Sequence, residues 1–207
     1  MYKCVVFDVD GTLINTETAI LKTFQELLRT EKRKDYKLEE LKFTMGITGA
    51  DAFEQLGFQN IDDTVIKFNK ILVNYLDLLQ PFLGVKKLLQ DLREKNVLLG
   101  VVTSRKHSEM TVDFAQNWSS HIFEAIICAD DTKYHKPHPE PLEVFFKSTG
   151  IQKEESIYIG DTIYDYECAK KAGVDFALAT WGNEKLDIAE EYMKLKEPSD
   201  LLKYIID

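Results

Sequence analysis

The sequence predicts an α/β protein: a doubly wound parallel sheet with an all-helical segment inserted after its first strand. Three observations carry this expectation. Residues 4–7, Cys-Val-Val-Phe, form a short apolar run rich in β-branched and aromatic side chains, and two acids, Asp8 and Asp10, follow at i and i+2. From residue 81 onward, short apolar runs alternate with helical patterns. Between 15 and 79 the apolar residues recur at helical period, and nothing reads as a strand. The expected organisation is a core of residues 1–14 and 80–207 with a helical cap of residues 15–79.

Taken in order, the opening strand ends at Asp8, and Gly11 lets the chain turn sharply beyond it. Asn15 or Thr16 can cap a helix whose apolar face is Ile20, Phe24, Leu27 and Leu28. A charged turn at 31–35 separates it from a short helix around Leu38 and Leu41. Residues 44–49 carry two glycines and no charge, which reads as a loop, and 52–56 as a short helix. Ile61, Val65, Phe68, Leu72, Tyr75, Leu76 and Leu79 hold helical period over one long segment. Pro81 ends it. Val85, Leu88, Leu89 and Leu92 mark a helix; 97–102 a strand ending in Thr103-Ser104; 106–117 a helix; 125–128 a strand. Residues 130–141 contain three prolines and read as a loop, followed by a helix from Leu142 to Lys147. Residues 156–159 form a strand ending in Gly160-Asp161, and 162–171 a helix closed by Gly173. A strand at 176–179, a weak helix at 186–191, a strand near Tyr192 and a helix from Ser199 or Asp200 complete the chain.

Composition narrows the function classes. The 207 residues carry a net charge of −9 and no long basic run, which argues against nucleic acid or an anionic membrane as partner. Cys4, Cys128 and Cys168 are odd in number and widely spaced, which suits reduced thiols in a cytoplasmic protein rather than a disulfide framework. No stretch reaches the roughly 18 apolar residues of a membrane span. The composition leaves oligomeric state open.

Four strand ends or nearby loops carry chemistry: Asp8 and Asp10, Thr103-Ser104, Lys136, and Asp161 with Asp165. In a parallel sheet all four converge on one edge, outside the carboxyl ends of the strands. Clustered carboxylates repel one another unless a cation joins them, and a hard oxygen set suits Mg²⁺. A small hydroxyl with free N–H groups behind it suits a phosphate oxygen, and a lysine can neutralise phosphate and carboxylate alike. The set reads as metal-assisted phosphoryl transfer to a carboxylate. Each part alone has a plainer reading: Thr103-Ser104 or Asp161 can cap the following helix, and Lys136 can be a surface residue. The joint order Asp-x-Asp, Thr-Ser, Lys-Pro, Gly-Asp-x-x-x-Asp is what speaks against those readings.

In that order of motifs, Val5–Leu13, Val101–Ser104, Lys136-Pro137 and Ile159–Asp165, the sequence resembles the haloacid dehalogenase-like superfamily of aspartate-nucleophile phosphotransferases. Its helical insertion is similar to the small cap of phosphoglycolate phosphatases and β-phosphoglucomutases. The resemblance implies a Rossmann-like core with the first strand central. It implies Asp8 as nucleophile, Asp10 as general acid/base with its carbonyl on Mg²⁺, and Lys136 steadying the Asp8 and phosphate charges. It implies Thr103 and Ser104 on the phosphate, and Asp8, Asp10, Asp161 and Asp165 around the metal. Gly11 and Thr12 complete the first motif and join the substrate-binding set, as do Arg105 and the cap-loop residues Gly46, Ile47 and Thr48. The implied function is a Mg²⁺-dependent phosphatase for a small soluble phosphomonoester, working through an aspartyl-phosphate. A sugar phosphomutase and a pyrophosphatase are alternatives on the same site; the arginine-free loop 44–49 favours hydrolysis over the mutase. A receiver-type signalling module phosphorylated at Asp130 or Asp131 is the remote alternative.

Overall fold

Helix, strand and turn follow from the pattern of side chains, and the topology follows from which strands are apolar on both faces. The computed structural model describes residues 2–110, 113–182 and 192–205. In chain order the elements are β1 (Cys4–Phe7), β2 (Ile14–Asn15), α1 (Glu17–Lys32), α2 (Gly49–Gln55), α3 (Ile61–Leu72), β3 (Gln80–Pro81) and α4 (Val85–Glu94). They continue with β4 (Leu98–Val102), α5 (Asp113–Asn117), β5 (Ala125–Ile127), α6 (Glu140–Thr149), β6 (Ser156–Gly160), α7 (Ile163–Ala172), β7 (Asp175–Ala179) and β8 (Met193–Leu195).

Six strands make one parallel sheet in the order β5-β4-β1-β6-β7-β8. Every residue of β1 is buried, as a strand covered by helices on both faces must be. Val5 and Phe7 point to the face packed by Leu88, Leu89 and Leu92 of α4. Cys4 and Val6 point to the opposite face, with Phe145 of α6 and Cys168 of α7. This is the α/β, Rossmann-like arrangement with the first strand central. Connections leave β1 toward β4 and enter β6 on its other side, so the crossover reverses between β1 and β6. A crevice opens there, outside the carboxyl ends of the two strands.

The helices between β2 and β3 pack on a separate apolar cluster built from Leu21, Phe24, Leu28, Leu41, Phe53 and Phe68. The stem of this segment is a two-stranded antiparallel ribbon, β2 with β3, that the sequence does not reveal. Two residues a side are too few to show a period of two.

Several elements differ from the sequence expectation. The long helix from 61 stops at Leu72 and continues as a tight 3-10 turn over Val73–Leu78; Val73 and Asn74 are weak helix formers. The short helix at Leu38 is 3-10 over Leu38–Thr44. The helix expected over 106–117 is divided: a 3-10 turn spans His107–Glu109 and α5 begins at Asp113, with 111 and 112 outside the described residues. α6 begins at Glu140 rather than Leu142 because Pro141 sits in the first turn, where no N–H is needed. The terminal helix is 3-10, Pro198–Tyr204. The weak helix expected at 186–191 lies outside the described residues. Cys4, Cys128 and Cys168 are free thiols, all buried. Among the described residues no helix is long and apolar enough to cross a membrane.

Candidate active site

The carboxyl ends of β1, β4 and β6 bring most of the expected residues to one place. Asp8 follows β1, and its N–H donates to the Ile159 carbonyl at 2.9 Å, which fixes the acid beside β6. Asp161 follows β6, and Asp165 stands in the first turn of α7. Ligand oxygens of Asp8, Asp161 and Asp165 lie within 4.8 Å of one another, and all three residues are buried. Lys136 enters from the loop before α6 and is itself buried. Its Nζ lies 3.0 Å from Asp8 Oδ1 and 2.6 Å from Asp165 Oδ1.

Local structure explains how Asp165 is held. Thr162 caps α7; its N–H and hydroxyl donate to Asp165 Oδ2 at 3.0 and 2.5 Å, a reciprocal capping box. Asp165 Oδ1 faces Lys136 and also the Tyr158 hydroxyl, 2.9 Å away. Two glycines leave room for the acids. A Cβ at Gly11, whose φ is +73°, would stand 2.2 Å from Asp161 Oδ2. A Cβ at Gly160 would stand 2.5 Å from the Asp165 carboxyl carbon.

Three buried carboxylates around one ammonium are electrostatically unbalanced. Burial, reinforced by Asp165 and Asp10 against the opposing pull of Lys136, pushes the Asp8 carboxyl up to about 7. Burial, with Asp165 and Asp8 alongside, pushes Asp161 well above the usual carboxylate range. Burial disfavours the charge on Lys136 too, but Asp165 and Asp8 outweigh it and hold the ammonium above its ordinary value. Counting formal charges, the cluster lacks two positive charges. An all-oxygen donor set of that deficit fits a hard divalent cation such as Mg²⁺.

Asp10 is treated differently. Its side chain lies outside that carboxylate cluster and takes a two-point ion pair from Arg105, with Nε at 2.8 Å from Oδ2 and Nη2 at 2.7 Å from Oδ1. Burial works against the Asp10 charge, yet the Arg105 guanidinium overcomes it and holds the carboxyl below its usual range. Arg105, expected to face substrate, therefore grips an acid of the site.

The hydroxyl residues are also in place. Thr103 is buried at the end of β4; its N–H donates to the Ile127 carbonyl at 3.0 Å, and its Oγ1 accepts the Arg105 N–H at 3.2 Å. Ser104 Oγ donates to the Gly46 carbonyl at 3.0 Å, which fastens the loop of the helical segment to the core. Thr12 Oγ1 reaches toward Asp161 Oδ1 at 3.5 Å. A cavity of about 300 Å³ opens beside Asp8 and Asp10, and its wall includes Gly46, Ile47, Ser104 and Arg105. Thr48 is not part of that wall; it caps α2, accepting the Asp51 N–H at 3.1 Å.

Sequence reasoning missed Tyr158. An Ile-Tyr-Ile strand reads as plain core, although a buried phenol needs a partner for its hydroxyl. Here that hydroxyl lies 3.2 Å from Lys136 Nζ and 3.0 Å from the Val102 carbonyl. Asp130 and Asp131 stay out of the buried cluster. Asp131 instead accepts the Cys128 N–H and pairs with His107, both at 2.8 Å.

Comparisons with known proteins agree with this geometry. Residues 5–179 match the family of haloacid dehalogenase-like hydrolases. Pyrophosphatase PpaX of Bacillus cereus is 27% identical, over 98% of this chain and 96% of the relative. A crystal structure from Lactobacillus plantarum, provisionally assigned as a phosphoglycolate phosphatase, superposes with a TM-score of 0.85 at 26% identity, over 99% of this chain and all of the other. CbbY of Rhodobacter sphaeroides, crystallised with phosphate, shares the fold with a TM-score of 0.84 at 18% identity, over 97% and 96% of the two chains. The chain belongs to the haloacid dehalogenase-like hydrolases. It is an enzyme of that family, and membership removes the receiver-module alternative.

Proposed function

We propose that the protein is a Mg²⁺-dependent phosphatase that hydrolyses a small phosphomonoester through an aspartyl-phosphate on Asp8. The observation that carries this reading is the buried convergence of Asp8, Asp161, Asp165 and Lys136, with Asp8 also on the wall of a cavity of about 300 Å³. Residues 15–79 act as a cap that encloses the substrate, and residues 1–14 and 80–207 form the core. The Ser104–Gly46 hydrogen bond supports that division of labour, because it ties a loop of the helical segment directly over the chemistry.

Asp8, Asp161 and Asp165, with the Asp10 carbonyl, would hold the metal. When bound, Mg²⁺ supplies positive charge against the carboxylates and the phosphoryl oxygens. An oxygen of Asp8 attacks phosphorus, the bond from phosphorus to the leaving oxygen breaks, and Asp10 gives that oxygen a proton. Water then attacks the same phosphorus, Asp10 accepts its proton, and the Asp8–phosphorus bond breaks. The Arg105 pair favours the ionised form of Asp10, the form that accepts the proton of the attacking water. To donate to the leaving oxygen, the Asp10 carboxyl must first take up a proton from solvent or from the substrate phosphate as the pair opens. Thr103 and Ser104 would bind phosphate oxygens, and Lys136, which bridges to Asp8, would steady the charge on Asp8 and the phosphoryl group.

The Bacillus relatives favour a second reading, a pyrophosphatase on the same site. Phosphate release from phosphomonoesters and pyrophosphate, with Mg²⁺ and with EDTA, tests both. Metal-dependent release of phosphate from monoesters is expected; undiminished turnover in EDTA contradicts the metal assignment.

A further inference from the structure

The cavity beside Asp8 and Asp10 runs from the acidic edge into the helical segment. Its inner wall is apolar, formed by Phe24, Phe53, Phe68, Leu72, Leu76 and Leu79. Among the described residues, the charged side chains on the wall are Asp8, Asp10, Arg105 and Glu109. Only one of these is a cation, and it is already engaged by both oxygens of Asp10. A leaving group that carries its own negative charge, such as a second phosphate or a carboxylate, would therefore meet hydrocarbon and acid. The desolvation of that charge would find, among the described residues of the wall, no cation other than the Asp10-bound Arg105 to offset it.

We propose, building on the phosphatase reading above, that the substrate is a phosphomonoester whose alcohol carries an uncharged, largely apolar body seated against Phe24, Phe53 and Phe68. The size fits. An apolar protein cavity of about 150 Å³ takes up benzene. A space of about 300 Å³ holds a phosphoryl group together with a ring or a short chain of comparable bulk. The three phenylalanines pack with ring centroids 4.8 to 5.5 Å apart, so they present one continuous hydrocarbon surface. Transfer of apolar surface onto it favours binding in proportion to the area covered. Asn69 offers a polar point on the same wall for an uncharged hydrogen-bonding group of the ligand.

The test measures kcat/KM of the full chain with Mg²⁺ for methyl, butyl and phenyl phosphate, alongside pyrophosphate and 2-phosphoglycolate. Each buried methylene is worth about fourfold. Butyl phosphate is expected to exceed methyl phosphate by tenfold or more, and both butyl and phenyl phosphate to exceed the two probes whose leaving group is itself anionic. Val65→Phe fills part of the cavity and is expected to bring the butyl-to-methyl ratio to within about twofold. A flat series, a preference for 2-phosphoglycolate, or an unchanged ratio in V65F overturns the proposal while leaving the phosphatase reading intact; a preference for pyrophosphate overturns the proposal in favour of the pyrophosphatase reading. Hydrolysis of no probe, with no phosphoenzyme formed, overturns the phosphatase reading and this proposal with it.

Discussion

The acidic edge of the sheet and the interior of the helical segment border the same cavity but are held together by different forces. Around Asp8 each charged group has directional partners. Lys136 bridges Asp8 and Asp165, Thr162 and Tyr158 fix Asp165, and Arg105 grips Asp10 at two points. Around Phe24 and Phe68 the contacts are ring against ring, between side chains that carry no hydrogen-bonding group. Directional bonds specify atom positions; dispersion contacts tolerate repacking of similar volume. The first region should therefore lose the reaction when altered, and the second should change its substrate.

The largest effect sharpens that contrast. Asp8→Asn removes the attacking oxygen and is expected to take phosphatase activity below detection, with the fold kept as judged by circular dichroism. Asp10→Asn is expected to slow turnover by ~10²–10⁴-fold while leaving Mg²⁺ binding in place, since the carbonyl remains. Lys136→Met should cost ~10²–10³-fold in kcat. It should also lower thermal stability by ~3–5 kcal/mol, the usual penalty for removing one partner of a buried ion pair. Comparable kcat for K136M and wild type would break the comparison on its chemical side.

Smaller effects probe the helical side and the metal. Ile47→Trp on the cavity wall should reorder substrates by kcat/KM rather than scale them all equally; uniform scaling would show that the loop does not read the substrate. The Asp8 carboxyl, at 3.8 in an ordinary setting, rises to about 7 in the fold because burial disfavours its charge. The metal-free fold therefore binds an additional proton between those values and loses stability as the pH rises through that window. Mg²⁺ competes for the ionised form, so its stabilisation grows over the same range. The Tm increase caused by saturating Mg²⁺ should be larger at pH 8 than at pH 5, and an equal increase at both would contradict the assignment of Asp8 as a ligand.

Much of the site was legible because its residues sit at strand ends with characteristic neighbours. Asp8 and Asp10 follow an apolar run and Asp161 follows another; the sequence offers Asp161 as the candidate cap of the next helix, whereas Thr162 caps it and holds Asp165. What stayed hidden depends on partners distant in sequence. Nothing near Arg105 indicates that it pairs with an acid 95 residues away. Tyr158 was concealed by its apolar neighbours. The cavity was concealed as well, because Phe24 and Phe68 recur at a helical period that serves a filled core and a hollow wall equally. In the fold, the parallel sheet was visible through its fully apolar strands, while the β2–β3 ribbon and the split near residue 110 were too short to leave a periodic trace.

The central claim is that Asp8 carries the phosphoryl group. Asp10→Asn should retard hydrolysis of the intermediate more than its formation when the leaving group needs little protonation, as with p-nitrophenyl phosphate. Incubating D10N with that ester and Mg²⁺, quenching in acid and sequencing the peptides by mass spectrometry should place an increment of ~80 Da, one HPO₃ unit, on Asp8. An increment on Asp130 or Asp131, or wild-type phosphatase activity in D8N, would contradict the account.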